Sequence, residues 1–476
     1  MEYKPTIGLE VHAELSTKTK MFCACKNDPD EVRPNVNVCP ICMGHPGTLP
    51  VINKEAVKNV LRVGHAVNGM LATTTEFDRK NYFYPDIPKG YQISQYKHPL
   101  VSGGELAGVK LTRIHLEEDT GVSQHDKGDY SLVNYNRAGV PLMELVTEPV
   151  IHSGEEAGRF ARELQLLLQY LGVAEANMEK GEMRVEVNIS LAPQMSDLKD
   201  SDSLSPTSGK LGTKVEIKNL NSFKAAERAI EYEIKRQGDL LDKGGRIEQE
   251  TRGWNEARQE TFSQRKKEDS HDYRYFPDPD LPKLDLTKLK EFDVEVLKTE
   301  LGETPAGKRA RLAALGIKDA DVEFYIQNPK FAEFFETVVR TDDNTFNQLA
   351  SNYIVSDMSA LGGVGKVGAT SFGELIDLIT GNKISSRGAK DVLAIMFEQG
   401  GTAEVIAKEN NLLQVSDTSA IEKIVEEVIS NHEKIVDEYR AGKQSSLQFL
   451  IGQGMKLSKG SANPQLLKQI IEEKLN

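Results

Sequence analysis

Apolar and polar residues alternate along several stretches in the first part of the chain, a pattern typical of β-strands with one buried face. The first stretch, TIGLEVHAEL (6–15), places Gly8, Glu10, His12 and Glu14 on the face opposite its apolar residues. The same alternation recurs in KLTRIHLEED (110–119), MRVEVNISL (183–191) and TKVEIKN (213–219). These stretches predict an antiparallel sheet with one packed face and one polar face.

Helical periodicity replaces this alternation in two segments of the same region and in most of the chain after about residue 290. The first helix is predicted from a capping Ser153 to Gly172, and the second from a capping Ser222 to Gly238. The polar residues 194–210 predict a loop that joins two strands of a hairpin.

These patterns predict the α+β class, with three domains. An antiparallel-sheet domain with packed helices spans 1–290, an all-α helical domain spans 291–370, and a small helical tail domain spans 371–476. The segment LGGVGKVGATS lies near the second boundary and predicts a flexible connector, because its glycine spacing is wrong for a phosphate-binding loop.

Composition agrees with a chain of about three globular domains. The chain has 476 residues, of which 39% are hydrophobic and 28% charged. No apolar run approaches the roughly 20 residues needed to cross a bilayer, and the first residues lack the pattern of a signal peptide, so we expect a cytoplasmic protein. The net charge of −13 argues against coating of nucleic acid by bulk electrostatics, but it is compatible with a local basic groove.

All four cysteines of the chain lie within one short segment. Cys23, Cys25, Cys39 and Cys42 form two close pairs, a spacing that brings four thiolates around Zn²⁺. A site with four thiolates has no open position for a substrate, so the pattern predicts a structural zinc ion. The alternative is four unrelated buried thiols.

A set of acidic and imidazole side chains follows the polar strand faces. Such side chains are suitable ligands for Mg²⁺ or Mn²⁺, and the alternative is a solvated polar face with dispersed ion pairs. The members of the set are Glu10, His12, Glu14, His115, Glu117, Glu118, Asp119 and Glu144.

Basic and aromatic residues are concentrated in two segments. Candidates to neutralise phosphates are Arg79, Lys80, Lys89 and Arg113. The neighbouring Tyr82, Phe83, Tyr84 and Tyr91 either stack on a base or pack locally. A later basic run around Trp254 is either a contact to an RNA backbone or a solvated hairpin; its members are Arg252, Arg258, Arg265, Lys266, Lys267 and Arg274.

A hydrolytic nucleophile is not evident, because the chain has no serine motif and its cysteines are assigned to metal. Any step that releases ammonia therefore needs a partner protein.

A series of longer motifs resembles one known family. TIGLEVHAEL, FDRKNYFYPDIPKGYQISQY, RIHLEEDTG, NRAGVPLMELVTEP, KNLNSF, QETRGW and DYRYFPDPDLP are similar, in order, to signatures of the B subunits of tRNA-dependent amidotransferases. The stretches SSRGAK and FLIGQGMKLSKGSANP resemble the tail domain of that family.

The resemblance implies a fold and a reaction. The sheet domain is expected to be a cradle that uses ATP and Mg²⁺ to phosphorylate the side-chain carboxylate of misacylated Glu-tRNA(Gln) or Asp-tRNA(Asn). Ammonia from an amidase-type A subunit then displaces the phosphate, and a small C subunit completes a heterotrimer. The tail domain is expected to contact the tRNA.

The resemblance also suggests roles for particular residues. Glu10, His12, Glu144 and one of Glu117 and Glu118 are expected to hold the catalytic metal: strand alternation favours Glu117 and the similarity to the family favours Glu118. Phosphate contacts are expected from Arg79, Lys80, Arg113 and Arg137. The lining of the cradle is expected to comprise Arg184, Glu186, Asn188, Lys214, Glu216 and Lys218.

Two positions depart from the family pattern, since Asn134 and Glu186 stand where aspartate is usual.

Two other functions remain open at this point. One is a non-catalytic subunit that presents tRNA to a separate enzyme. The other is a free-standing zinc-containing ligase for a small molecule, which leaves the last third of the chain without a task.

Overall fold

The chain consists of two compact units, Met1–Thr304 and Pro305–Asn476. This computed structural model describes residues 3–125, 128–193, 211–266, 273–414, 418–458 and 462–475. The loop predicted at 194–210 and the basic residue Lys267 lie outside the described residues. The predicted division into three domains near residues 290 and 370 stays a prediction.

The first unit contains all the described strands and four of the helices. Its strands are β1 (Tyr3–Glu14), β2 (Met70–Leu71), β3 (Thr74–Thr75), β4 (Asp78–Asn81), β5 (Tyr91–Ser94), β6 (Val101–Ser102), β7 (Glu105–Leu106), β8 (Val109–Glu118), β9 (Val122–Gln124), β10 (Leu132–Asn134), β11 (Pro141–Thr147), β12 (Met183–Pro193), β13 (Val215–Leu220), β14 (Glu250–Asn255), β15 (Glu260–Lys266), β16 (Phe276–Pro277) and β17 (Leu284–Asp285). Its helices are α1 (Lys54–Ala66), α2 (Gly154–Tyr170), α3 (Phe223–Asp242) and α4 (Val294–Glu300), with short 3₁₀ turns at Leu286–Lys288 and Lys290–Phe292.

The second unit is helical throughout its described residues. Its helices are α5 (Pro305–Ala313), α6 (Asp319–Gln327), α7 (Pro329–Val338), α8 (Asn344–Asn352), α9 (Ala369–Thr380), α10 (Ser386–Gln399), α11 (Ala403–Glu409), α12 (Thr418–Asn431), α13 (Glu433–Arg440), α14 (Ser445–Leu457) and α15 (Pro464–Leu475), with a π-helical turn at Tyr353–Met358. The α+β class and the order of a sheet followed by helices are confirmed.

One large sheet organises the first unit. Its strand order is β15-β14-β13-β12-β1-β11-β8-β6-β2, and β7 also pairs with β8. The pairs are antiparallel except for β13 and β14, which are parallel. The four stretches in which alternation predicted strands form β1, β8, β12 and β13, and these lie at or near the centre of the sheet.

The apolar face of the sheet packs on helices α1, α2 and α3. Ile7, Leu9, Val11 and Ala13 of β1 are at most 1% exposed, as their alternation predicted. The opposite face therefore carries the polar residues of β1. A small sheet of β16, β4 and β5 lies near one end of that face, where β5 contacts β8.

Both predicted helix caps form. The Oγ of Ser153 accepts a hydrogen bond from the backbone of Glu156, and that of Ser222 accepts one from Ala225. The second helix does not end at Gly238 as predicted but continues to Asp242. A glycine weakens a helix without ending it, whereas Gly244, just past the helix, has the left-handed φ of 73° that ends one.

Helices α12–α15 enclose a hydrophobic core formed by residues such as Ile421, Val425, Leu450 and Ile471. Ile421, Val425 and Val428 recur at helical spacing in the sequence, and each is 0% exposed. Among the described helices, none combines the length and apolar character needed to span a membrane.

Candidate active site

Strand register gathers the polar residues of three neighbouring strands. His12 of β1 lies opposite Glu144 of β11 on one side and Arg184 of β12 on the other, and Glu144 in turn lies opposite His115 of β8. Directly opposed residues in a sheet have Cβ atoms about 5 Å apart, so their side chains interact. One row across the sheet thus holds two imidazoles and a carboxylate.

The side chains of this row and its neighbours form an acidic cluster, defined here as Glu10, His12, His115, Glu117 and Glu144. The Nε2 of His12 lies 3.6 Å from an oxygen of Glu10, 3.6 Å from one of Glu117 and 3.5 Å from one of Glu144. The Nε2 of His115 lies 3.4 Å from the same Glu144 oxygen. Both imidazoles and the carboxylates of Glu117 and Glu144 are buried.

Glu117 and Glu118 point in different directions. The carboxylate of Glu117 joins the acidic cluster and accepts a hydrogen bond from the hydroxyl of Ser94 at 3.2 Å. The carboxylate of Glu118 is paired with Lys89 at 2.5 Å and accepts a hydrogen bond from the backbone of Ile93. Of the two candidates that the sequence left open, only Glu117 contacts His12 among the described contacts.

The electrostatics of the cluster are those of a crowded acidic site. Burial by itself raises the pKa of Glu144, but the charge of His115 and hydrogen bonds from both imidazoles outweigh it and hold that pKa well below its usual range. Burial by itself lowers the pKa of His12, but the hydrogen bond to Glu144 and the charge of Glu117 raise it to about 9. Burial and the charge of Glu144 raise the pKa of Glu10 to about 7.

Lys80 on β4 supplies a positive charge near the cluster. Burial by itself lowers the pKa of its ammonium, but the charge of Glu117 outweighs this and raises the pKa above its usual value, so Lys80 stays charged. The ammonium lies 5.9 Å from the ring centre of Tyr82 and 5.1 Å from that of Tyr273. The guanidinium of Arg113 lies 3.5 Å from the carboxylate of Glu144.

Two further basic residues are held by carboxylates beside the cluster. Arg137 contacts Glu14 and Asp119, each at 2.6 Å, and Arg184 contacts Asp119 at 3.1 Å. Burial by itself raises the pKa of Asp119, but the charges of Arg184 and Arg137 lower it to about 2. Asp119 and the two arginines therefore place charges of both signs at the edge of the candidate site. Burial raises the pKa of Glu14 to about 7 despite the opposing charge of Arg137.

The other predicted cradle residues lie on or beside the polar face with different partners. Glu186 pairs with Lys218 at 2.8 Å, Glu216 accepts a hydrogen bond from Thr251, and Lys214 is exposed. Arg79 is bound by two carboxylates of the DPDLP segment and lies over a tyrosine ring. The contacts of Arg79 are to Asp278 at 2.8 Å, Asp280 at 2.8 Å and Tyr91, with 4.2 Å to the ring centre.

The four cysteines converge as their spacing predicted. The sulfur atoms of Cys23, Cys25, Cys39 and Cys42 all lie within 4.8 Å of one another, and all four are free of disulfides. Tetrahedral zinc with Zn–S bonds of about 2.3 Å needs sulfurs of comparable separation, so the residues fit a zinc ion. The position is buried on one side, with Cys23 and Cys42 buried.

Several residues near the site carried little signal in the sequence. Ser94 holds Glu117, and Tyr273 and Tyr275 come to Lys80 from a distant segment through the pairing of β16 with β4. The spacing of Tyr273 and Tyr275 in the sequence indicates that they share one face of an extended segment. The sequence does not indicate that this face lies beside Lys80. Asn134 accepts hydrogen bonds from the backbones of Asn35 and Asn136, a role that an aspartate also fills.

The acidic cluster fits a hard divalent cation. Ligand atoms of Glu10, His12 and Glu144 lie within 4.8 Å of one another, as do those of His115, Glu117 and Glu144. Within the described residues, the buried Nδ1 atoms of His12 and His115 have no hydrogen-bond partner. Converging carboxylates repel one another in a buried site, and a bound cation relieves that repulsion.

Comparison with known proteins identifies the family. The model of the GatB/GatE catalytic domain matches residues 5–290, and that of the GatB domain matches residues 333–475. The B subunit of the aspartyl/glutamyl-tRNA(Asn/Gln) amidotransferase from Gloeothece citriformis is 41% identical, with 100% of this chain and 98% of the relative covered. Proteins of the same name from Persephonella marina and Caldanaerobacter subterraneus are each 43% identical, with 100% of both chains covered.

The family models match most of each compact unit, and the similarity to these relatives runs along the whole chain. Three of the motifs that gave the resemblance, TIGLEVHAEL, RIHLEEDTG and NRAGVPLMELVTEP, contain residues of the neighbouring strands β1, β8 and β11 that carry the acidic cluster. The chain therefore belongs to the family of aspartyl/glutamyl-tRNA amidotransferase B subunits.

Proposed function

We propose that this protein uses ATP to activate the side-chain carboxylate of misacylated Glu-tRNA(Gln) or Asp-tRNA(Asn) and converts it to the amide. The observation that carries the proposal is the acidic cluster on the polar face, with the charged Lys80 beside it. The printed names of the relatives support the substrate class.

We assign the catalytic metal to Glu10, His12, Glu117 and Glu144, with His115 supporting Glu144. Magnesium would supply charge neutralisation for the phosphates of ATP, the role of divalent metal in phosphoryl transfer. Glu118 is left out of the ligand set because its carboxylate is already paired with Lys89.

The chemistry has two steps. In the first, an oxygen of the substrate carboxylate bonds to the γ-phosphorus of ATP while the bond from that phosphorus to the ADP oxygen breaks. In the second, ammonia bonds to the activated carbonyl carbon, the bond to phosphate breaks, and one proton is released as the amide forms. We assign to Lys80 and Arg113 the role of offsetting the negative charges that meet in the first step, since both lie beside the acidic cluster.

The ammonia is proposed to come from a partner, because this chain offers no hydrolytic nucleophile motif. We infer an amidase-type A subunit that hydrolyses glutamine and a small C subunit, assembled with this chain as a heterotrimer. The four cysteines are proposed to hold a structural zinc ion, and free thiols agree with a reducing cytoplasm.

The competing function is a subunit that only presents tRNA to another enzyme. The acidic cluster argues against it. Burial of two imidazoles among carboxylates is unfavourable in free energy. A surface that only binds tRNA does not require such a buried cluster.

The test is Mg²⁺-dependent ATP hydrolysis by the complete complex with glutamine, comparing Glu-tRNA(Gln), Gln-tRNA(Gln) and no tRNA. We expect stimulation only by the misacylated tRNA. Glu10→Gln should lower this activity at least about a hundredfold while glutamine hydrolysis by the partner continues. Glu105→Gln, an exposed change on β7 of the same sheet, is the matched control. Full amidation by Glu10→Gln, or hydrolysis indifferent to tRNA, would favour the presenting role.

A further inference from the structure

The turn that follows the fourth cysteine packs directly on Lys89. Gly44 has a left-handed φ of 66°, and a Cβ at this position would lie 2.5 Å from Cγ, 3.1 Å from Cα and 3.2 Å from Cβ of Lys89. Cα belongs to the backbone of Lys89 and Cβ adjoins it, so rotation of the Lys89 side chain alone cannot relieve the clash with an added Cβ. The turn therefore needs a glycine both for its conformation and for this contact.

Lys89 in turn neutralises a buried carboxylate. Its ammonium contacts both oxygens of Glu118, at 2.5 and 2.6 Å, and Glu118 is 4% exposed. If Lys89 is displaced, the carboxylate is left charged and buried with only the backbone donor of Ile93. An unpaired buried charge is costly, so the Glu118 carboxylate would move toward another donor or toward water.

Movement of Glu118 reaches the acidic cluster through the adjoining residues. Glu118 is held to β5 by the backbone of Ile93 and by the side chain of Gln92, which donates to the Glu118 carbonyl at 2.7 Å. Two residues after Gln92, the hydroxyl of Ser94 holds the carboxylate of Glu117. The end of β8 and strand β5 thus fix Glu117 and Glu118 together.

The cysteine segment, defined here as residues 23–44, is also anchored at a second place. The side chain of Asn136 accepts hydrogen bonds from the backbones of Val36 and Asn37, both at 2.9 Å, and donates to the carbonyl of Arg33 at 2.8 Å. Asn136 is 1% exposed and directly precedes Arg137, which contacts Glu14 and Asp119. With two anchors, the segment has a defined position relative to the polar face.

We propose that Gly44 is a positioning residue, through which the cysteine segment seats Lys89 on Glu118 and keeps Glu117 in place for metal binding. The inference rests on the proposed function, since it takes the acidic cluster as the metal site. In this proposal the cysteine segment does more than stabilise its own structure. It also positions residues of the acidic cluster, which lies on the other side of β8.

The test is Mn²⁺ binding by the zinc-loaded complex, followed by the loss of the electron paramagnetic resonance signal of free Mn²⁺. We expect Gly44→Ala to weaken Mn²⁺ binding about tenfold, the effect of losing support around a metal ligand. Gly47→Ala is the matched control, because Gly47 lies in the same turn region with φ 84° and no atom within 4 Å of an added Cβ. It should change Mn²⁺ affinity less than about twofold, and zinc content is measured for every variant.

A second variant covers the case in which Gly44→Ala loses zinc. Lys89→Met removes the charge without straining the turn, and it should weaken Mn²⁺ binding to a similar extent with full zinc content. If Gly44→Ala and Lys89→Met bind Mn²⁺ like the unaltered complex while Glu10→Gln does not, the positioning role is overturned and the metal site stands. If Glu10→Gln also binds Mn²⁺ normally, the acidic cluster is not the metal site and both proposals fall.

Discussion

At the scale of single residues, neighbouring positions on one strand have opposite roles. Glu117 points into the acidic cluster and Glu118 points to Lys89, because successive side chains of a strand face opposite sides of the sheet. The pair therefore offers two substitutions of identical chemistry that differ only in the face they affect.

Glu117→Gln should lower tRNA-stimulated ATP hydrolysis at least about a hundredfold at any Mg²⁺ concentration, since it removes a proposed metal ligand. Glu118→Gln should instead raise the Mg²⁺ concentration needed for half-maximal activity about tenfold, with most of the maximal rate retained, because it disturbs only the support of Glu117. Steady-state kinetics over a Mg²⁺ titration measure both. The reverse result would make Glu118 the ligand, as the similarity to the family suggested.

At the scale of secondary-structure elements, a buried carboxylate joins α3 to the edge of the sheet. Glu233 is 0% exposed and receives hydrogen bonds from Arg236 at 2.8 Å, Gln237 at 3.0 Å and the hydroxyl of Thr261. Arg252 of β14 contacts the same carboxylate at 3.1 Å. Burial by itself raises the pKa of Glu233, but the hydrogen bonds from Arg236, Thr261 and Gln237 lower it below 4.5.

Glu233→Gln should lower the free energy of unfolding at pH 7 by about 2–3 kcal/mol, because it removes a charge that several donors share. Since the folded-state pKa is lowered, this contribution is complete above pH 4.5 and is lost as the pH falls through the folded-state value. Urea unfolding at pH 7, 5 and 3.5 should show the difference between variant and unaltered chain shrinking toward low pH. Asp239→Asn, an exposed change in the same helix, should show little difference at any pH.

The cysteine segment is a second element whose stability can be measured. It has little regular structure between β1 and α1, so a bound zinc ion should stabilise it. Removal of zinc with a chelator should lower the temperature of the first thermal unfolding transition by at least about 5 °C. The substitution Cys39→Ser should have a comparable effect. Metal analysis should find one zinc per chain. If the chelator lowers the melting temperature of the Cys39→Ser variant still further, a metal ion is bound at another site.

At the scale of the whole molecule, the last four helices form a core of their own within the second unit. The buried residues of α12–α15 pack on one another. Helix α9, in contrast, packs on α7 and α8, where Phe372 lies against Phe334 with ring centres 5.5 Å apart. A truncation before α9 thus removes part of a shared core, whereas one before α12 removes a complete core.

A chain ending at Gln414 should therefore keep the cooperative unfolding of the remaining residues and lose tRNA affinity by about tenfold, given the proposed contact of the tail with tRNA. A chain ending at residue 368, before α9, should aggregate or melt at a clearly lower temperature, because it exposes the partners of Phe372. Calorimetry and filter binding of tRNA measure the two effects. Unchanged tRNA affinity of the chain ending at Gln414 would remove α12–α15 from the tRNA interface.

The sequence by itself determined the class of fold, four strands of the large sheet and the starts of two helices. Alternation, helix caps and cysteine spacing are local, and each is set by the geometry of a few neighbouring residues. This is why the buried face of β1, the caps Ser153 and Ser222 and the convergence of the four cysteines could be predicted.

Only the tertiary structure decided which of the candidate residues meet. His12 and Glu144 are neighbours because β1 pairs with β11 in one register, and a shift of one residue would send their side chains to opposite faces. The placement of Glu118 on Lys89, of Arg79 on Asp278 and of Tyr273 beside Lys80 likewise depends on segments far apart in the chain. Such pairings follow from the packing of the whole sheet domain, because no local pattern encodes the partner of a strand.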